Sequence, residues 1–483
     1  MGKQILSKLF SLFFISVIFQ FFISCYTNPV TGKKELSLMS YEDEIRLGTE
    51  ADKEIVAAYG LYDDPKVADY VNQLGQEMVI ISHRPNLKYH FRVLDSPVIN
   101  AFALPGGFVY ITRGILAYMN SEAELAGVVG HEIGHITARH SAKQYTRAQL
   151  AQIGLGLGST FSQQFRRFSD VAQLGVGLLF LKFSRDQERQ SDQLGIEYSS
   201  RISYDAVHMS KFFGTLHRMR EQSGQDLPGW FSTHPDPEDR QATTIRLAKE
   251  WQQKLPSYKF KVQRDRYIQI IDGIIFGDDP RQGFIDKGYF YHPTLDFQFP
   301  IPANWQLINT PQQVQIVNKN QDAAILFTLS QEPSARKAAD KFLANTQGRL
   351  IQSDYTKINR LNAEIRVTDV EQQQGTLRVL SYFIEKDRKI YVFHGFCSKA
   401  KYISNLNVFK YTMRNFDRLK NRAAKNVKPT RVKIVKVTRD GTLKDVLKRY
   451  PKGKLTVEQL AILNGMKLTD IVRPGDRIKV LAK

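Results

Sequence analysis

His131-Glu132-Ile133-Gly134-His135, continuing as HEIGHITARH to His140, is the stretch on which the reading of this chain turns. Two histidines four residues apart fall on one face of a helix, where both rings can ligate one metal ion. Glu132, one residue along, then points beside the ion and can take a proton from a water there. Chance gives roughly 0.01 such matches in a chain with these His and Glu frequencies, so the motif carries weight by itself. A Ser121-x-x-Glu124 capping signal opens the helix, and Leu125, Val128, Val129, Ile133 and Ile136 make it apolar enough to be buried. The competing reading is a pair of hydrogen-bonded core histidines.

A catalytic zinc takes three protein ligands and keeps one position open. The chain holds 2 cysteines, Cys25 and Cys397, too few for a thiolate cluster, so the third ligand is sought among His and carboxylates. It is expected in SRDQERQSDQLG, Ser184 to Gly195, where Glu188 and Asp192 share a helix face. Glu188 can complete the site while Asp192 hydrogen-bonds a ligand imidazole from behind. Taken alone, an E-x-x-x-D pair is more often a solvated helix face.

HEIGHITARH followed some fifty residues on by SRDQERQSDQLG resembles the HtpX-like and BepA-like gluzincin metallopeptidases, a family that includes the eukaryotic CAAX prenyl proteases. Asn100-Ala-Phe-Ala-Leu-Pro-Gly-Gly107 and Ser232-Thr-His234-Pro-x-Pro-x-x-Arg240 look like further blocks of that family, in its order, and Thr27-Asn-Pro-Val-Thr-Gly32 resembles its lipoprotein branch. The resemblance covers about residues 26–255, and Ser191 stands where the family usually has Ala. It implies one zinc per chain held by His131, His135 and Glu188, with Glu132 as general base. His234 or Arg240 would steady the tetrahedral intermediate. His234 has a second reading, as a fourth zinc ligand that keeps the enzyme latent, and a plainer one, as a loop histidine. Asn100, Ala101, Phe102 and Ala103 are expected to form an edge strand that pairs with an extended substrate; an ordinary sheet strand is the alternative.

At 483 residues, 42% hydrophobic and 24% charged, the chain suits two to four globular domains. This composition excludes a wholly disordered chain, a polytopic membrane protein and a disulfide-built miniprotein. The net charge is +20, and Arg431 to Lys483 carries 14 Lys/Arg against 5 Asp/Glu, a net of +9. At the other end, Lys3 and Lys8 precede the apolar run Leu9 to Ile23, and Phe22-Ile23-Ser24-Cys25 resembles a bacterial lipobox. Residues 1–24 are therefore read as a lipoprotein signal peptide and Cys25 as the lipidated residue, with an uncleaved signal anchor as the alternative. Export argues against a nucleic-acid partner. Tyr26 rather than Asp after the cysteine favours an outer-membrane anchor facing the periplasm, by resemblance to the bacterial sorting rule.

The expected architecture is multidomain α+β. A lipidated tether at 25–38 leads to a mainly helical metallopeptidase domain with a small sheet at 39–256 and a connector at 257–279. An antiparallel α+β domain at 280–420 and a basic linker at 421–430 precede a small βααβ domain at 431–483. The last resembles a LysM module, through Gly441-Thr442-Leu443, the Leu463-Asn464 helix end and the Pro474-Gly475 turn, which implies N-acetylglucosamine glycan of peptidoglycan as a partner; a protein-contact role is the alternative. Gly-rich, apolar 152–182 reads as buried core or as a lid over the cleft. The leading function is a membrane-tethered zinc endopeptidase acting on unfolded or misassembled envelope proteins. A latent envelope scaffold and a peptidoglycan hydrolase are the alternatives.

Overall fold

The computed structural model describes residues 24–154, 183–223, 229–234, 240–372, 375–451, 453 and 455–483. The signal peptide expected at 1–24 and the lid expected at 152–182 lie, but for Ser24 and 152–154, outside the described residues. Residues up to Gly277 together with Thr430–Lys483 form one compact unit, and Asp278–Pro429 forms another. Among the described residues no helix is long and apolar enough to cross a membrane.

Residues 25–38, expected as a tether, form a hairpin of β1 (Ser24–Thr27) and β2 (Lys34–Ser37), with Cys25 opposite Leu36. The Asn28 side chain makes the turn by accepting the Val30 and Thr31 N–H groups. Ser40 and Asp43 then form a reciprocal capping box on α1 (Tyr41–Tyr59), and Asp64 caps α2 (Pro65–Ile80), whose proline sits where a free N–H is not needed.

Three short strands follow: β3 (His90–Leu94), β4 (Ala101–Leu104) and β5 (Phe108–Thr112). β5 lies in the middle, parallel to β3 and antiparallel to β4. Gly106 and Gly107, at φ +79° and +97°, make the tight turn that sends β4 back along β5. β4 is left at the sheet edge.

Helices α3 (Arg113–Tyr118), α4 (Glu122–Thr137), α5 (His140–Gly154), α6 (Arg185–Arg201), α7 (Val207–Ser223), the single turn α8 (Trp230–Thr233), α9 (Arg240–Lys254) and α10 (Arg264–Ile270) complete this part. Every residue of α4 is buried. α6 lies on it so closely that a Cβ added to Gly195 would stand 2.9 Å from the His131 nitrogen and 3.0 Å from the Gly127 oxygen. Gly130 meets the same crossing from the other side, with Gly195 Cα 3.0 Å from its own missing Cβ. Gly134 is the third at this crossing, an added Cβ there falling 3.2 Å from Ser191 Cα, and with Gly130 and Gly195 it lets the two helices touch backbone to backbone.

The second unit opens with β6 (Phe284–Asp286), β7 (Tyr289–His292) and β8 (Phe297–Pro300). It continues through β9 (Trp305–Asn309), β10 (Gln313–Asn318), β11 (Ala323–Ser330), α11 (Ala335–Thr346), β12 (Arg349–Ile358), β13 (Leu361–Gln372), β14 (Gly375–Lys386) and β15 (Lys389–Ser398). α12 (Tyr402–Arg414), β16 (Asp417–Arg418) and α13 (Arg422–Lys425) end it. Seven antiparallel strands run in the order β12-β13-β14-β15-β11-β10-β9, beside a four-stranded sheet β16-β8-β7-β6. Asp387 and Arg388, both at positive φ, turn β14 into β15. α12 stops at Arg414, and Asp417 and Arg418 pair with β8. Phe290, Phe297, Phe299, Phe327, Phe393 and Phe416 form the aromatic heart of this unit.

β17 (Arg431–Lys436), β18 (Gly441–Thr442), α14 (Leu443–Leu447), α15 (Val457–Leu463), β19 (Ile471–Val472) and β20 (Arg477–Ala482) form the C-terminal module. β17 pairs with β20 and β18 with β19, so the module reads β–α–α–β with an extra two-residue bridge. It has no separate core. Val432, Leu443, Leu460 and Leu481 belong to the same apolar cluster as Val71, Val129 and Phe212.

Candidate metal centre

α4 supplies His131, Glu132 and His135, and α6 supplies Glu188 and Asp192. Ser121 caps α4 through the Glu124 N–H, but the Glu124 carboxylate reaches back one residue further than a capping box requires and accepts the Asn120 N–H at 2.8 Å. α6 starts from a complete box between Ser184 and Gln187, which makes Glu188 the fourth residue of the helix, its N–H donating to the Ser184 carbonyl at 3.0 Å. The glycine crossing then presents Glu188 and Asp192 to the two histidines.

His131, His135, Glu188 and His234 each offer a ligand atom, all within 4.8 Å of one another, and all four residues are buried. Nε2 of His131 and Nε2 of His135 are 3.0 Å apart, and Glu188 oxygens lie 3.6 Å and 3.4 Å from them. His234 Nδ1 is 3.3 Å from His131 Nε2 and 3.1 Å from Glu188 Oε1. Ligands on a tetrahedral zinc with bonds of about 2.0–2.1 Å stand roughly 3.3 Å apart, so these spacings fit that ion. The donor chemistry, imidazole nitrogen with carboxylate oxygen, fits it too.

Asp192 Oδ1 lies 2.9 Å from His131 Nδ1, which turns Nε2 toward the centre. Arg240 donates from Nε and Nη2 to both Asp192 oxygens at 2.8 Å, and its Nη2 is 3.4 Å from Glu188. The order runs Arg240, Asp192, His131, each holding the next.

The carboxyls differ sharply. Burial pushes Glu132 up, and neither of its oxygens has a hydrogen-bond partner among the described residues. Its charged neighbour is His234 Nε2 at 3.5 Å. Burial also opposes ionisation of Glu188, but His234 and His135 outweigh it and hold this carboxyl well below its usual range. Burial holds His135 low; His234, although buried, is raised by Glu188 and Glu132.

Asn100 to Ala103 lie at the edge of the small sheet beside this cluster. The Asn100 carbonyl turns inward to the Thr112 N–H, so the carbonyls of Ile99 and Ala101 face outward. Both are filled by the α8 loop: Trp230 N–H donates to Ile99 at 3.0 Å, and His234 Nε2 lies 3.3 Å from the Ala101 oxygen. Asn100 Oδ1 has no partner among the described residues.

Two residues at the centre escape sequence reasoning. His140 is buried with Nδ1 3.0 Å from His135 Nδ1 and Nε2 3.0 Å from Gln190 Oε1, so it can accept the proton that His135 carries on its rear nitrogen. The signal was present, as a third histidine within HEIGHITARH. Trp230 stacks on His234 with ring centres 4.5 Å apart, and nothing in its local sequence announces it.

Residues 65–246 match peptidase family M48. The chain is 32% identical over 229 residues to mitochondrial metalloendopeptidase OMA1 of Schizosaccharomyces pombe, covering 46% of this chain and 65% of that protein. It is 29% identical over 236 residues to the beta-barrel assembly-enhancing protease of Escherichia coli K12, covering 47% and 48% respectively. The protein of the same name in Yersinia pestis is 30% identical over 223 residues, covering 44% and 45%. The chain thus spans about half to two thirds of the length of these relatives.

Proposed function

We propose that this chain, whose residues 65–246 match peptidase family M48, is a zinc metalloendopeptidase. The carrying observation is the pairing of four converging buried donors with a Glu132 carboxylate that accepts no hydrogen bond among the described residues and faces the His234 ring at 3.5 Å. His131, His135 and Glu188 are its ligands. A zinc ion bound there supplies Lewis acidity, polarising the scissile carbonyl and acidifying the attacking water. Glu132, raised by burial, takes the water proton and hands it to the leaving amine. Arg240 and Asp192 keep His131 oriented. With two Arg240 nitrogens on Asp192, the developing oxyanion falls to His234.

An extended substrate strand adds to the outward edge of β4, main chain to main chain, with Asn100 Oδ1 free to accept an N–H. Such recognition favours unfolded chains over one defined sequence. The relatives named for enhancing beta-barrel assembly, with the lipobox ending at Cys25, support unfolded or misassembled bacterial envelope proteins as substrates and a lipid-anchored, periplasm-facing location. A glycan-binding role for 431–483 rests on the LysM resemblance alone. The test is casein degradation by zinc-loaded protein starting at Tyr26, beside its Glu132→Gln twin. Loss in the mutant with zinc retained is the expected result; equal degradation by both refutes the assignment.

A second reading is favoured by the α8 loop. His234 Nδ1 sits among the zinc donors while the loop fills both outward carbonyls of β4, so the same segment blocks the metal and the substrate edge together. This is a latent form, in which release of His234 exposes the site. His234→Ala is expected to raise turnover of a short peptide; a fall to background would instead assign His234 to catalysis alone.

A further inference from the structure

The C-terminal module sends one charged side chain into the peptidase core. Lys479, on β20, is 0% exposed, and its Nζ donates to the carbonyls of Ala117 at 2.8 Å and Met119 at 2.7 Å. These carbonyls belong to the end of α3, where helical geometry leaves acceptors without intrahelical partners. The turn between them and α4 is held from two more directions. Glu124 accepts the Asn120 N–H, and Gly465, at φ +66°, lies so close that an added Cβ would be 2.8 Å from Asn120 Nδ2. Asn464, next to Gly465, exchanges hydrogen bonds with the Lys479 main chain, giving 2.7 Å and 2.9 Å. Two residues of the module, Lys479 and Gly465, therefore reach the segment that launches the metal-bearing helix, and Asn464 ties them to each other.

An apolar side chain would fill this space without the desolvation that an ammonium group suffers on burial. Burial holds Lys479 well below the usual lysine range and pushes Glu124 up to about 7, so both groups are kept at an energetic disadvantage. What the lysine adds is direction: two fixed hydrogen bonds that tie the Ala117 and Met119 carbonyls of this turn to β20. From Glu122 to His131 is about 14 Å of helix, buried throughout, so a shift at its start reaches the ligands with little attenuation.

We propose that Lys479 is a positioning residue for the metal centre, fixing the axial placement of α4 against α6, and that 431–483 is a working part of the peptidase. The proposal rests on the zinc peptidase reading for its kinetic test, but not for its spectroscopic one. The full chain, loaded with cobalt(II) in place of zinc, is compared as wild type, Lys479→Met, Lys479→Arg and Arg477→Met. The last, on the same strand as Lys479, removes an exposed ion pair with Asp265 of α10. Lys479→Met is expected to alter the cobalt ligand-field bands and weaken chelator-competed metal affinity about tenfold. With zinc it should lower kcat about tenfold while KM holds. Lys479→Arg should restore most of each, and Arg477→Met should match wild type. A wild-type cobalt spectrum and kcat in a folded Lys479→Met protein overturns the proposal. If Lys479→Met fails to fold, Gly465→Ala pushes the same turn through Asn120, and an unchanged spectrum there overturns it equally. A wild-type protein without peptidase activity refutes the function reading and leaves the cobalt comparison to decide Lys479.

Discussion

Gly195→Ala is a one-carbon change with an outcome whose sign the helix crossing decides. The new Cβ would meet the His131 nitrogen at 2.9 Å, the Gly127 oxygen at 3.0 Å and the His131 Cα at 3.2 Å, all main-chain atoms of a buried helix. Ordinary carbon contacts begin near about 3.5 Å, so α6 must retreat from α4 by roughly 0.5 Å. Overpacking of this kind costs about 1–3 kcal/mol. Alanine is better than glycine within a helix by about 1 kcal/mol, which offsets part of it. The net expectation is a loss of up to about 2 kcal/mol, where an unhindered helical glycine would gain about 1. Gly214→Ala supplies that comparison, since its Cβ meets only the Gln241 side chain. Glu188 and Asp192 ride on α6, so the retreat also pulls a ligand from His131 and His135. A penalty of about 1.4 kcal/mol there is a tenfold weaker zinc affinity. Urea midpoints of the chelated proteins and competition with a chromophoric chelator read the two effects. A Gly195→Ala protein as stable as Gly214→Ala, with wild-type affinity, would refute the reasoning.

Asp192→Asn removes the charge that joins Arg240 to His131, and zinc affinity should fall about 10–100-fold in chelator competition; a change under threefold would contradict the relay. His140→Leu deprives His135 of its rear acceptor, with zinc binding expected to weaken about tenfold, while the exposed His217→Leu leaves it unchanged. In the second unit, burial pushes His292 and His394 down to about 4, from about 6.5 in an unfolded chain. The unfolded state then binds more protons between these values, so the unit's stability is full above about pH 6.5 and declines as pH falls toward 4. Protection factors of the Val379–Cys397 amides, with the intrinsic pH dependence of exchange divided out, should fall over that window, and His394→Gln should flatten the slope; a flat wild-type profile counts against the burial argument.

Local patterns on one element were readable from the chain alone. The Ser40–Asp43 capping box, the Asp64-Pro65 helix start, the strands at His90–Leu94 and Phe108–Thr112 and the Asp387-Arg388 turn all depend on residues within a few positions of one another. The candidate site was legible in part because helical spacing puts His131 beside His135 and Glu188 beside Asp192. What joined the two helices was legible only as three glycines, with no way to know that they face each other. His140, five residues from His135, falls outside the four-residue spacing that drew attention to the motif, and reaches it because the chain turns at Arg139, at φ +56°. The C-terminal module was read by its own β–α–α–β pattern, and that pattern holds no trace of Lys479, whose partners lie 362 and 360 residues earlier.

The peptidase unit is also discontinuous in sequence. Residues 278–429 are inserted between two stretches that close on each other, with the Phe276 N–H on the Thr430 carbonyl and Val432 exchanging hydrogen bonds with Gly273 and Ile274. A chain emerging from its N-terminus therefore makes every ligand of the metal centre long before it makes the last pieces of their core. A nick within 278–429 leaves both halves of the unit in place, whereas trimming beyond Thr430 takes away part of the core itself.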